Sequence, residues 1–128
     1  MNIMIIGCGA ITQNVHLPAI SNIKEVDSIF LVDKNTDYMK EISKLYNISN
    51  YSTDYNDFIS QSDFALLCVP NNLHCKITID LLEKGLNVLC EKPMAITSED
   101  CDKMINKSKE KNRILKIGHY LRFSTSIK

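Results

Sequence analysis

The chain has 128 residues, with 15 Lys and Arg against 15 Asp and Glu and a formal net charge of zero. That length suits one domain able to bury roughly two-thirds of its unfolded surface, and the even balance gives no bulk attraction to nucleic acid or to a membrane surface. No apolar stretch is long enough to span a bilayer, and the N-terminus has neither the basic region nor the uninterrupted apolar run of a signal peptide.

Ile3-Met4-Ile5-Ile6 is an unbroken apolar run, as expected of a strand buried on both faces of a parallel sheet. Gly7-Cys8-Gly9-Ala10-Ile11-Thr12 follows, and Ala10 to about Asn22 predicts a helix that Pro18 must bend or restart. A second run, Ile29-Phe30-Leu31-Val32, ends in Asp33. Strand, glycine turn, helix, strand and acid make up the dinucleotide-binding pattern. In it, Gly7 supplies the tight turn and Gly9 lets a pyrophosphate approach the backbone. Ala10 and Ile11 open a helix whose free N–H groups and positive dipole end attract phosphate. Asp33 stands at the spacing where a carboxylate meets the adenosine ribose hydroxyls. Thr12 departs from the pattern, because a third glycine or alanine normally lets helix and strand pack closely, and its bulk predicts a helix set slightly further out. Methyltransferases also use a glycine turn and a later acid, so the cofactor is decided further along the chain.

Thr36 to Tyr46 carries Tyr38, Met39, Ile42, Leu45 and Tyr46 at helical spacing, an apolar face for the sheet. Ile48 to Ser52 reads as a weak strand, and Asp54 to Ser60 as a short helix with Tyr55, Phe58 and Ile59 inward. Phe64 to Val69 is the second clear buried strand, ended by Pro70. Asn71 or Asn72 is expected to cap a helix that carries Leu73, Ile77 and Leu81 on one side and stops at Gly85. Val88-Leu89-Cys90 is a strand leading into Glu91-Lys92-Pro93. Thr97 with Asp100 forms a capping pair for a helix ending near Asn112, with Cys101, Met104, Ile105 and Ser108 inward and Lys107, Lys109 and Lys111 in its last turns. Ile114 to Ile117 is the last strand, before Gly118-His119-Tyr120-Leu121-Arg122-Phe123. Strands alternating with helices over short connections predict an α/β fold. It is a doubly wound parallel sheet of Rossmann type in the order 3-2-1-4-5-6, one domain over residues 1–128, with the cofactor across its carboxyl edge.

The five cysteines, Cys8, Cys68, Cys75, Cys90 and Cys101, are odd in number and contain no C-x-x-C pair. That predicts free thiols, no disulfide framework, no metal site and a cytoplasmic setting. Cys8, inside the glycine turn, is read as filling a small space rather than as an oxidation-sensitive thiol, since nothing near it in sequence lowers its pKa.

Working residues in such a sheet lie just past the carboxyl ends of strands. Three segments qualify: Pro70-Asn71-Asn72-Leu73-His74, Glu91-Lys92-Pro93 and Gly118-His119-Tyr120. His74 by itself reads as a solvated histidine of a first helical turn. Lys92 is open to a second reading as a surface lysine paired with Glu91. The proline after it argues otherwise, fixing its backbone in an extended form beside the cofactor edge. His16, before Leu17-Pro18, is read as structural.

Together, Gly7 to Thr12 with His16-Leu17-Pro18-Ala19, Val69-Pro70-Asn71-Asn72-Leu73-His74, Glu91-Lys92-Pro93-Met94-Ala95, and Gly118 to Phe123 resemble the Gfo/Idh/MocA oxidoreductase family. The resemblance covers essentially the whole chain, in the family's order and spacing. Its most specific part, Glu-Lys-Pro, disfavours a methyltransferase. It implies an N-terminal NAD(P)-binding domain, paired in the family with a C-terminal α/β domain, and redox chemistry at a hydroxyl of a sugar, polyol or nucleotide sugar. It implies further that Lys92 reaches the reacting hydroxyl and the nicotinamide, with Glu91 and Pro93 setting its position. Pro70, Asn71, His74, Glu91 and Lys92 then join the glycine turn, Asp33 and Lys34 in cofactor contact. NAD is expected because Asp33 repels a 2′-phosphate, while adjacent Lys34 leaves NADP open. The sequence stops at Lys128, where the family's second domain begins; that domain brings a substrate pocket, an open sheet used in oligomerisation and a histidine acting as acid or base. The expectation is the cofactor-binding half of a dehydrogenase, inactive alone and prone to self-association. It takes a carbohydrate-like substrate only when a second domain or chain is supplied. The other reading is a non-catalytic nucleotide-binding or interaction module.

Overall fold

Met4 and Ile5 are both wholly buried although they are neighbours in one strand, which requires a packed layer on each face of the sheet. The structure, a computed structural model, describes residues 1–119; Tyr120, Leu121, Arg122 and Phe123 lie outside the described residues. Six strands form one sheet: β1 (Asn2–Ile6), β2 (Ser28–Val32), β3 (Tyr51–Ser52), β4 (Phe64–Leu67), β5 (Asn87–Cys90) and β6 (Leu115–Ile117). Their order is 3-2-1-4-5-6 and every neighbouring pair is parallel, as the sequence predicts. Ile5 pairs with Leu31 on one side and Leu66 on the other, so β1 is the central strand.

Among the described residues four α-helices cover the faces: α1 (Leu17–Ile20), entered through a π turn at Thr12–His16, then α2 (Thr36–Tyr46), α3 (His74–Glu83) and α4 (Ser98–Glu110). Alternation along β1 sorts the core into two. Ile3 and Ile5 pack with Leu17, Met39 and Ile42 of α1 and α2, while Met4 and Ile6 pack with Leu81, Leu82 and Met104 of α3 and α4. The Thr97 hydroxyl accepts the Asp100 N–H at 3.1 Å and caps α4. Among the described residues no helix is long and apolar enough to cross a membrane.

Several local expectations are corrected. In α2, Met39 and Ile42 are buried, but Tyr38 and Leu45 are 45% and 77% exposed, since they lie about a quarter turn round from the sheet-facing stripe. Ile105 of α4 is exposed at the edge of its stripe in the same way. Strand β3 is only two residues long, because the Ile48 N–H is taken by the Ser43 carbonyl at 2.9 Å in the stop of α2. Neither Asn71 nor Asn72 caps α3: a 3₁₀ turn at Asn71–Leu73 leads in, with the Leu73 N–H on the Pro70 carbonyl at 2.9 Å. Strand β4 ends at Leu67, two residues before the expected Val69.

Candidate functional site

Connections from β1 and β4 leave toward opposite faces of the sheet, because the strand order reverses between them. Such a reversal opens a crevice past the carboxyl ends. Here it is a cleft of ≈ 610 Å³ walled by Gly7, Gly9, Ala10 and Ile11 after β1, and by Asp33 and Lys34 after β2. Thr53, Asp54 and Tyr55 after β3, and Cys68, Val69, Pro70, Leu73 and Ile77 after β4, close it.

The glycine turn is set by two different demands. Gly7 has φ +96°, and a Cβ there would stand 2.4 Å from the Cys68 carbonyl oxygen, so the fold itself requires glycine. A Cβ on Gly9 would meet no protein atom within 4 Å. Packing therefore does not ask for glycine at position 9, although the residue forms part of the cleft wall.

The turn's carbonyls are committed inward. Gly7 O accepts the Thr12 hydroxyl at 2.5 Å, Cys8 O accepts Gln13 Nε2 at 2.7 Å, and Gly9 O accepts the Gln13 N–H at 3.1 Å. Asp33 Oδ2 accepts the Cys8 N–H at 2.6 Å and Oδ1 accepts the Asn35 N–H at 2.7 Å, so the acid is fixed at the turn by two backbone donors. Thr12 is wholly buried, and the room for its side chain comes from the widened turn, in which the Leu17 N–H reaches five residues back to Thr12 O. All five cysteines are free. Burial, reinforced by the negative charge of Asp33, pushes the Cys8 thiol up to about 12; burial does the same to Cys68 against the opposing Thr12 hydroxyl. Cys8 is therefore an inert filler, as its reading from sequence has it.

The segment after β5 is held from three sides. Glu91 is 8% exposed; its Oε1 lies 2.7 Å from His16 Nε2, and its Oε2 accepts the Lys92 N–H at 3.0 Å. Gly118 completes the enclosure, since a Cβ there would come within 3.1 Å of Glu91 Oε1. The Lys92–Pro93 peptide is cis. The Lys92 side chain is exposed and, among the described residues, enters no ion pair, so it is not the partner of Glu91.

His74 is 1% exposed rather than solvated. Its Nδ1 lies 2.8 Å from the Pro93 carbonyl oxygen and its Nε2 2.9 Å from that of Val69, so the ring ties the Lys92 segment to the end of β4. Of the residues singled out from sequence, Gly7, Gly9, Ala10, Ile11, Asp33, Lys34 and Pro70 share the cleft wall. Thr12, His74 and Glu91 are buried behind it, while Asn71 and Lys92 are exposed and not part of the wall. Sequence reasoning missed the Gln13 contact and the His16–Glu91 pair, which no local spacing connects across 75 positions. Among the described residues no group of three His, Cys, Asp or Glu is placed to hold a metal ion.

Residues 1–119 match the Gfo/Idh/MocA family, described as an oxidoreductase family with an NAD-binding Rossmann fold. The chain is similar to the myo-inositol 2-dehydrogenase of Thermotoga maritima, 29% identical over 100% of this chain and 39% of that protein. It is also similar to a 4-carboxy-2-hydroxymuconate-6-semialdehyde dehydrogenase of a Sphingobium species, 27% identical over 98% of this chain and 40% of that protein. Among solved structures, a dehydrogenase from Clostridium difficile superposes with a TM-score of 0.90 at 25% identity, over 96% of this chain and 40% of that one. The chain thus spans about 40% of the length of these relatives.

Proposed function

The chain belongs to the Gfo/Idh/MocA oxidoreductase family, and from that premise we propose that its cleft binds the nicotinamide dinucleotide of a dehydrogenase acting on a hydroxyl of a sugar, polyol or nucleotide sugar. The observation that carries this is Gly9: a residue without a side chain, not required by packing, in the wall of a ≈ 610 Å³ cleft at the head of a helix. The turn offers the phosphates the backbone of Gly9, Ala10 and Ile11, with its carbonyls already engaged on the other side. Asp33, oriented by two backbone N–H groups, receives the ribose hydroxyls and disfavours a 2′-phosphate; Lys34 in the same wall attracts one. NAD is accordingly the proposed cofactor, with NADP accepted more weakly.

When bound, the nicotinamide takes up or gives the hydride. The protein's share is binding and polarisation. Lys92 presents an ammonium, without an ion-pair partner among the described residues, that stabilises negative charge developing on the substrate oxygen, and Glu91 and His74 fix the backbone around it. The proposal treats residues 1–128 as the dinucleotide-binding unit, with the carbohydrate-like substrate taken up jointly with a further domain or chain and with self-association as a consequence. It places the protein in the cytoplasm, on the strength of five free thiols.

Titration calorimetry of the chain with NAD, NADP and adenosine diphosphate ribose tests the reading. Saturable binding of all three is expected, with NAD tighter than NADP at equal ionic strength. Absence of heat with every one, together with an unshifted melting temperature, would sink it.

A further inference from the structure

His16 belongs to the π turn that follows the glycine turn, and its ring crosses to the segment after β5. Among the described residues it is the side-chain group on Glu91 Oε1, at 2.7 Å, while Glu91 Oε2 is taken by the Lys92 backbone N–H at 3.0 Å. Both oxygens of the carboxylate are thus occupied, and Gly118 packs against its third side. A buried carboxylate stripped of one donor is costly and turns to the nearest cation. The cation adjacent to it in sequence is the ammonium of the very next residue, Lys92, which is exposed and has no ion-pair partner among the described residues.

We propose that His16 is a positioning residue for Lys92: by holding Glu91 Oε1 it keeps the Glu91 carboxylate off the neighbouring ammonium, which stays free for a substrate oxygen. The inference rests on the reading of Lys92 as the working amine, but it concerns a contact that exists without cofactor. It also gives a physical link between the two halves of the site. The π turn directly after the glycine turn at the cleft carries the imidazole that holds the carboxylate next to the lysine. A carboxylate captured by Lys92 would cancel the charge the ammonium is there to supply.

The test is the acetylation rate of the Lys92 amine in the purified 128-residue chain, read by mass spectrometry of its peptide with Lys40 as internal reference. His16→Ala should slow Lys92 labelling about threefold, the size of an exposed ion pair, because the released carboxylate now holds the ammonium. His16→Gln, which keeps an N–H near the place of Nε2, should label like the wild type. His16→Ala/Glu91→Gln should also return to the wild-type rate, since an amide cannot form the ion pair; simple loosening of the turn would not be reversed by a second substitution. An unchanged or faster rate in His16→Ala, or slow labelling that persists in the double variant, overturns the proposal. No dinucleotide enters the assay, so its failure leaves cofactor binding standing, and failure of the calorimetric titration leaves the labelling result standing.

Discussion

Position 9 gives the most direct test at the level of single residues. A Cβ there meets no protein atom within 4 Å, so Gly9→Val should leave the melting temperature within a few degrees of wild type. The same substitution puts two methyl groups where the phosphates approach, and titration should show NAD binding lost. Retained affinity in a folded Gly9→Val chain would remove the assignment of the turn. At Asp33 the expectation is a change of preference. Asp33→Asn keeps an acceptor for only one of the Cys8 and Asn35 N–H groups, and it loses the charge that repels a 2′-phosphate, so the NADP-to-NAD affinity ratio should rise. A ratio that stays put would mean the carboxylate does not face the ribose. The buried thiols make a prediction in pH. Burial pushes Cys8 and Cys90 up to about 12 from an ordinary 9.0. Raised values favour the neutral thiol in the fold, so this contribution is complete below pH 9 and is lost as pH climbs toward 12. The loss approaches about 1.4 kcal/mol per thiol for each pH unit in that window. Urea midpoints of wild type and Cys90→Ala measured from pH 8 to 11 should converge as pH rises.

Among the elements, the first helix shows how a residue at odds with its motif is absorbed. Thr12 stands where glycine or alanine is usual, and three features accommodate it: the π turn, the hydroxyl bond to Gly7 O, and Pro18 two residues beyond the turn. Proline has no N–H to give, and a widened turn moves the preceding carbonyls away from its ring. Thr12→Val keeps the shape and removes the donor, leaving Gly7 O to the turn alone. It should cost roughly 1–3 kcal/mol in chemical denaturation and weaken NAD more than adenosine, since only NAD needs the pyrophosphate turn. Equal weakening of both would show that the hydroxyl serves stability and not the turn. In α4, Thr97→Ala removes one cap bond and should lower stability by about 1 kcal/mol with cofactor affinity unchanged.

At the scale of the whole molecule, the distribution of possible bases limits what the chain does unaided. His16 is engaged with Glu91, His74 has both ring nitrogens on backbone carbonyls, and the Cys8, Cys68 and Cys90 thiols are held neutral far above working pH. His119 is exposed but carries no contact that orients its ring among the described residues. A missing general base typically costs about a hundred- to ten-thousand-fold in rate. The 128-residue chain assayed alone with sugars, polyols and nucleotide sugars is therefore expected to reduce no NAD at ordinary enzyme rates. Turnover that Lys92→Ala abolishes would show that the described site is complete.

The sequence by itself determined the doubly wound sheet and its order, because apolar runs of three to six residues and two weaker strands, separated by helical periodicity, admit few other arrangements. It determined the glycine turn and the register of Asp33 as well, since both are local properties of one βαβ unit. The widths of the helix faces were less legible: Tyr38, Leu45 and Ile105 match an apolar pattern, yet which stripe meets the sheet is settled by neighbouring elements. His74 went from an assumed solvated side chain to a buried tie between Val69 and Pro93 for the same reason. Only the tertiary structure brought His16 to Glu91 and Gly118 against Glu91, joining positions that a parallel strand order of 3-2-1-4-5-6 gathers at one carboxyl edge of the sheet. Periodicity describes what a segment does with its own neighbours, and contacts across strands at that distance leave no trace in it.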